Sequence, residues 1–103
     1  MSWKGIGNEG LKYFYQIELK ELKELNLSYN NISDIKVLEN VKFEKLEILN
    51  LGDNKISDIN ILEKVKFKEL KELFLYDNNI SDIKVLENVQ FEKLEKLCLD
   101  GIK

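Results

Sequence analysis

The chain has 103 residues, with 16 lysines and no arginine against 19 acidic residues, for a formal charge of −3; 44% of the residues are hydrophobic. That is enough apolar material for one folded domain and too short a chain for two ordinary ones. Histidine, arginine, proline, alanine and threonine are absent and cysteine occurs once. This excludes histidine-activated nucleophiles, imidazole metal sites, an internal disulfide and CxxC chemistry. The acidic balance argues against nucleic-acid binding, and no apolar run reaches the ~20 residues of a membrane span. No enzyme, metal or cofactor is expected.

Residues 1–10 read as an N-terminal extension without the apolar core of a signal peptide, so a cytoplasmic location is expected. Within it Gly5, Gly7 and Gly10 spell G-x-G-x-x-G. That dinucleotide fingerprint requires a preceding buried strand, and only Met1 to Lys4 precede it. A flexible lead into the first ordered unit, with Asn8 as a cap, is the simpler expectation. Residues 11–21 form a half-repeat: Leu11, Phe14, Ile17 and Leu19 share the spacing of Ile35, Leu38, Val41 and Phe43 further on.

Three full copies of a 24-residue unit follow, at 22–45, 46–69 and 70–93, and residues 94–103 begin a fourth. In the first copy Leu25-x-Leu27 alternates with period two, as in a short strand. Asn30-x-Ile32 then marks a turn, and Ile35, Leu38 and Val41 recur every third residue, which suits a short helix or 3₁₀ segment. Asp34, Asp58 and Asp82 stand just before these segments and are expected to cap them rather than to form a carboxylate site. A single 24-residue unit cannot bury its own apolar face, so stability has to come from stacking.

The pattern LxxLxLxxNxI, carried by Leu22, Leu25, Leu27, Asn30 and Ile32 and repeated from Leu46 and Leu70, resembles the leucine-rich repeat motif. The resemblance covers about residues 11–103. It implies an α/β solenoid with parallel strands on a concave face and short helices or 3₁₀ segments on the convex face. The IxxLxxV backs are similar to those of the intracellular subclass that includes protein phosphatase regulatory subunits, although the added phenylalanines at Phe43, Phe67 and Phe91 depart from it. Asn30, Asn54 and Asn78 are expected to form a buried ladder, their amides bonding the backbone of their own and adjacent turns.

Alternation in the strands points the third, fifth and seventh positions of each copy outward. By the resemblance, this is the concave partner-binding surface. It comprises Glu24, Asn26 and Ser28; Ile48, Asn50 and Gly52; Glu72, Phe74 and Tyr76; and Lys96, Cys98 and Asp100, with Tyr29, Asp53, Asp77 and Gly101 at the rim. The first and third copies differ at four of 24 positions, and three of these, Asn26/Phe74, Ser28/Tyr76 and Tyr29/Asp77, fall on this surface. The fourth is Lys42/Gln90. Phe74, beside Tyr76, Ile48 and Cys98, is read as an apolar anchor for a protein partner, the alternative being an incidental or self-packed aromatic. Asp53 and Asp77 would meet a partner's lysine or a cation, or form a solvated pair relieved by Lys55. Cys98, without a histidine to activate it, is read as a small apolar contact.

At the N-terminal end Trp3, Tyr13 or Tyr15 is expected to fold over the core. At the other end the leucines of 94–103 lack a following unit, so the chain is either a piece of a longer array or a homo-oligomer formed through that end. A protein-binding module is the favoured reading. A self-assembling structural unit and a regulatory subunit of an enzyme such as a phosphatase are the alternatives.

Overall fold

Each Leu-x-Leu pair folds as expected into a strand edge, because one leucine per strand points inward while its neighbours face out. The computed structural model describes residues 5–12, 21–41 and 43–101. The strands are β1 (Glu24–Asn26), β2 (Ile48–Asn50), β3 (Glu72–Phe74) and β4 (Lys96–Cys98). They form one parallel sheet in the order β1-β2-β3-β4, with Leu25, Leu49, Leu73 and Leu97 in register. Hydrogen bonds just past the strands extend the ladder, from Leu27 N–H to Asn50 C=O (2.8 Å), Leu51 to Phe74 (2.8 Å) and Leu75 to Cys98 (2.9 Å).

The backs are 3₁₀ turns at Lys36–Asn40, Asn60–Lys64 and Lys84–Glu87. The aspartates before them act one residue earlier than a true N-cap: Asp34, Asp58 and Asp82 each accept the N–H two residues on, at 2.9 to 3.0 Å. Leu25, Leu27, Ile32, Ile35, Leu38, Phe43 and Leu46, with their second-copy counterparts, lie in one continuous core. Phe67 stacks between Phe43 (6.4 Å between ring centroids) and Phe91 (5.8 Å), so the phenylalanine spine runs through successive units.

The first and third copies differ in structure despite near-identical sequence. Ile35 and Ile59 are buried, but Ile83 is 44% exposed, and Leu97 is 38% exposed where Leu25, Leu49 and Leu73 are buried. Val85 turns inward in the third copy, while Val37 and Ile61 are only half-buried. The reason is physical: among the described residues no further back packs against the third one, so Ile83 lacks the neighbour that covers Ile35 and Ile59.

The N-terminal segment departs from expectation. Residues 6–10, read as an extension outside the array, are tied into it. Ile6 lies 24 residues before Asn30 and donates its N–H to Asn30 Oδ1 at 2.9 Å, as Asn30 N–H does to Asn54 Oδ1 at 2.9 Å. Asn8 Oδ1 accepts from Ser33 N–H (2.9 Å) and Asp34 N–H (3.2 Å), and its amide donates to Ser33 Oγ (2.8 Å). The short helix α1 (Gly7–Leu11) then buries Leu11 in the core. Gly10 permits that turn, because a Cβ there would stand 2.6 Å from Ile6 Cβ. The glycines thus shape a docked turn. Trp3, Tyr13, Tyr15, Phe14, Ile17, Leu19, Lys42 and Ile102 lie outside the described residues.

Candidate functional site

The asparagine ladder sets the height of the sheet's turn-side rim. Asn54 is buried, and its Nδ2 donates to Leu27 C=O (3.1 Å), Leu51 C=O (2.9 Å) and Gly52 C=O (3.1 Å). Its Oδ1 accepts from Asn30 N–H (2.9 Å) and Ile32 N–H (3.0 Å). Asn30 and Asn78 are buried likewise, and Asn78 Oδ1 accepts from Ile56 N–H at 3.0 Å. Each amide therefore closes its own turn and serves backbone donors of the preceding one.

Above this ladder the eighth position of every copy sits in the left-handed region, at Tyr29 (φ 61°), Asp53 (52°), Asp77 (51°) and Gly101 (71°). Aspartate tolerates that conformation and glycine adopts it freely, whereas a tyrosine there is costly by about 1 kcal/mol or more. Backbone bonds link the row: Tyr29 N–H to Gly52 C=O (3.2 Å), Asp53 to Tyr76 (2.9 Å) and Asp77 to Asp100 (2.9 Å). The Asp77 carboxylate lies directly over Gly101, where an added Cβ would meet it, and the Tyr76 ring lies over Gly52 in the same way.

The expected surface is partly rearranged. Phe74 is half-buried: the Lys96 ammonium stands 5.3 Å from its ring centroid, and Tyr76 meets it edge-on with ring centroids 6.4 Å apart. Asn50 and Cys98, its register partners on β2 and β4, are half-buried, and so is Ile48, which pairs with Glu72 two residues before Phe74. Ser28, read as outward and open, is buried; its hydroxyl donates to Asn26 Oδ1 at 2.6 Å. The same short loop recurs in the next copy, where Gly52 N–H donates to Asn50 Oδ1 at 2.9 Å. Asn26 and Asn50 are thus committed to shaping the strand exits, with Asn50 also donating to the Tyr76 hydroxyl at 3.5 Å. The Cys98 thiol faces Asp100 Oδ2 at 3.9 Å.

Tyr29 is the most exposed large hydrophobic side chain among the described residues, at 66%. Its phenol is held above the ordinary value of 10.0, chiefly by donating a hydrogen bond to Asp53, then by the charge of Asp53 and more weakly by Tyr76 and Asp77. The neutral phenol is the form the fold favours. The stabilisation is therefore complete below the ordinary value and is lost as pH rises through the higher folded one. Ultraviolet titration should show one tyrosine, absent in Tyr29→Phe, ionising late, and Asp53→Asn should bring that ionisation back toward 10.0. A late tyrosine that persists in Asp53→Asn would break the assignment.

Charge is unevenly distributed between the two rims. Where the chain enters the strands, lysines pair with glutamates one repeat back: Lys45–Glu21 (2.8 Å), Lys71–Glu47 (3.9 Å) and Lys93–Glu69 (2.7 Å). Those pairs are exposed and add little stability. Among the described residues no lysine, Lys55 included, comes within ion-pair distance of Asp53, Asp77 or Asp100. A separate open groove of about 470 Å³ lies on the convex side, lined by Asp34, Asp58, Glu63 and Lys64 among others. Among the described residues, no group of three histidine, cysteine, aspartate or glutamate side chains is placed to hold a metal ion, and no helix is long and apolar enough to cross a membrane.

Sequence reasoning found the row of residues and missed which of them are open. Positive φ at Tyr29 was the missing signal, and it is visible only as a tyrosine where the fourth copy carries Gly101. Residues 20–64 match the family model described as Leucine Rich repeats (2 copies). No curated protein sequence matches the chain.

Proposed function

The chain is a leucine-rich repeat protein, and from that premise we propose that its sheet face binds a protein partner by surface complementarity, without bond chemistry. Domains of this family generally mediate protein–protein interaction. The observation that carries the reading to this face is the half-buried row Asn50–Phe74–Cys98, in register across three strands, with Ile48 on the same face of β2 and the tyrosine and aspartate rim beside it. An apolar centre flanked by aromatic and charged groups is the usual anatomy of an interaction surface. Asn26, Asn50, Tyr76 and Lys96 shape and border that centre, and Tyr29, Asp53 and Asp77 form its edge. The single cysteine fits an intracellular setting.

Affinity capture from the source cells tests it. Phe74→Ala is expected to lose the captured partner by about tenfold or more while keeping the fold, because Phe74 lies outside the main core. A convex-face variant, Glu63→Lys, should retain the partner. Equal retention by Phe74→Ala, or loss only with Glu63→Lys, would move the binding surface to the back of the solenoid.

A further inference from the structure

Two halves of the concave surface carry opposite electrostatic solutions. At the strand entrances Glu21, Glu47 and Glu69 each pair with a lysine 24 residues on, in the following repeat. At the strand exits Asp53, Asp77 and Asp100 bring one carboxylate from each of three successive repeats, and no lysine of the described residues pairs with them. Two aromatic residues of the face, the exposed Tyr29 and the half-buried Tyr76, meet at this edge: Tyr29 N–H bonds Gly52 C=O, and the Tyr76 ring covers the same glycine. A protein-internal example shows what such a surface accepts, since Lys96 already lays its ammonium over the Phe74 ring.

From this we infer that the edge formed by Tyr29, Asp53, Tyr76, Asp77 and Asp100 takes arginine or lysine side chains from a basic, extended segment of a partner protein. The inference rests on the concave-face reading above and adds the partner's chemistry. Charge complementarity commits it to a cationic segment: carboxylates supply the charge, and the tyrosine rings supply flat faces for a guanidinium to stack on. An arginine suits the edge better than a lysine, because its planar fork reaches a carboxylate and a ring together. Apolar residues between the cations would fall against Ile48, Phe74 and Cys98. Tyr29 also occupies a left-handed position where the fourth copy has glycine, so an exposed ring is kept there against the backbone's preference.

The test is a backbone-amide NMR titration of the full chain with two capped octapeptides, one alternating arginine and leucine, the other glutamate and leucine. The arginine peptide should move the amides of Tyr29, Asp53, Tyr76 and Asp77. The double variant Asp53→Asn/Asp77→Asn should weaken it on the order of tenfold. Asparagine accepts left-handed φ, so that variant keeps the turn. Asp58→Asn, on the convex side, should bind unchanged. Equal affinity for the double variant overturns the inference, as do shifts centred on Asp34, Asp58 and Glu63, or no arginine-peptide binding at millimolar concentration. Concave-face shifts with the glutamate peptide alone would overturn the inference while leaving the concave-face reading in place.

Discussion

Asn54→Ala should unfold in urea with about 3 to 5 kcal/mol less stability than the parent, the largest loss for any single polar side chain here. The side chain makes five hydrogen bonds to buried backbone, three as donor and two as acceptor. Alanine would leave two N–H groups and three carbonyls of two adjacent turns without that partner, and the pocket is too enclosed for bulk water to replace it. A native domain has only about 5 to 15 kcal/mol in hand, so the variant sits near its folding threshold. Asn78→Ala should lose less, since its oxygen serves Ile56 N–H among the described donors, one where Asn54 serves two. A loss below about 1 kcal/mol at Asn54 would mean that water or backbone relaxation takes over the ladder.

The second large effect is expected at Phe67. Its ring is buried, stacked between two others, and central to the spine that joins three repeats. Phe67→Ala should cost about 3 to 5 kcal/mol by chemical denaturation, through lost apolar burial and the cavity left between Phe43 and Phe91. Phe91→Ala is the internal comparison. That ring is only half-buried, so its removal opens less enclosed space and should cost clearly less. Equal losses at both positions would show that the spine contributes by area alone, with no premium for the central place.

Much of this architecture was legible because each rule behind it acts within one unit. Leucines two apart specify a strand edge, apolar residues three apart specify a 3₁₀ back, and an asparagine at the bend specifies a ladder rung; all three descriptions match Leu25/Leu27, Ile35/Leu38 and Asn30. What escaped depends on a neighbour 24 residues away. Direction along β3 correctly put Phe74 on the outer face, but Lys96 from the next strand covers it. Ile35 and Ile83 occupy the same place in nearly the same sequence, yet one is buried and the other open, because their neighbours differ. Ile6 was invisible as part of the array since it contributes a backbone N–H, and a backbone donor leaves no mark on residue identity. The rim was readable as a row of positions. That no lysine of the described residues pairs with its carboxylates was not, because Lys55 stands two residues from Asp53 in sequence and still makes no ion pair with it.

The slim backs have a geometric consequence. A stack of repeats bends when each unit is wedge-shaped, wider behind than in front, and the bend sets how round an object its inner surface can hold. Strands repeat every ~4.8 Å, whereas an α-helical back needs about 10 Å of width. Here the backs are 3₁₀ turns of four or five residues, and the phenylalanine rings beside them repeat at 5.8 to 6.4 Å. The wedge is shallow, so the inner surface should curve gently. A gentle curve suits a ribbon of chain laid across it better than the bulge of a globular domain.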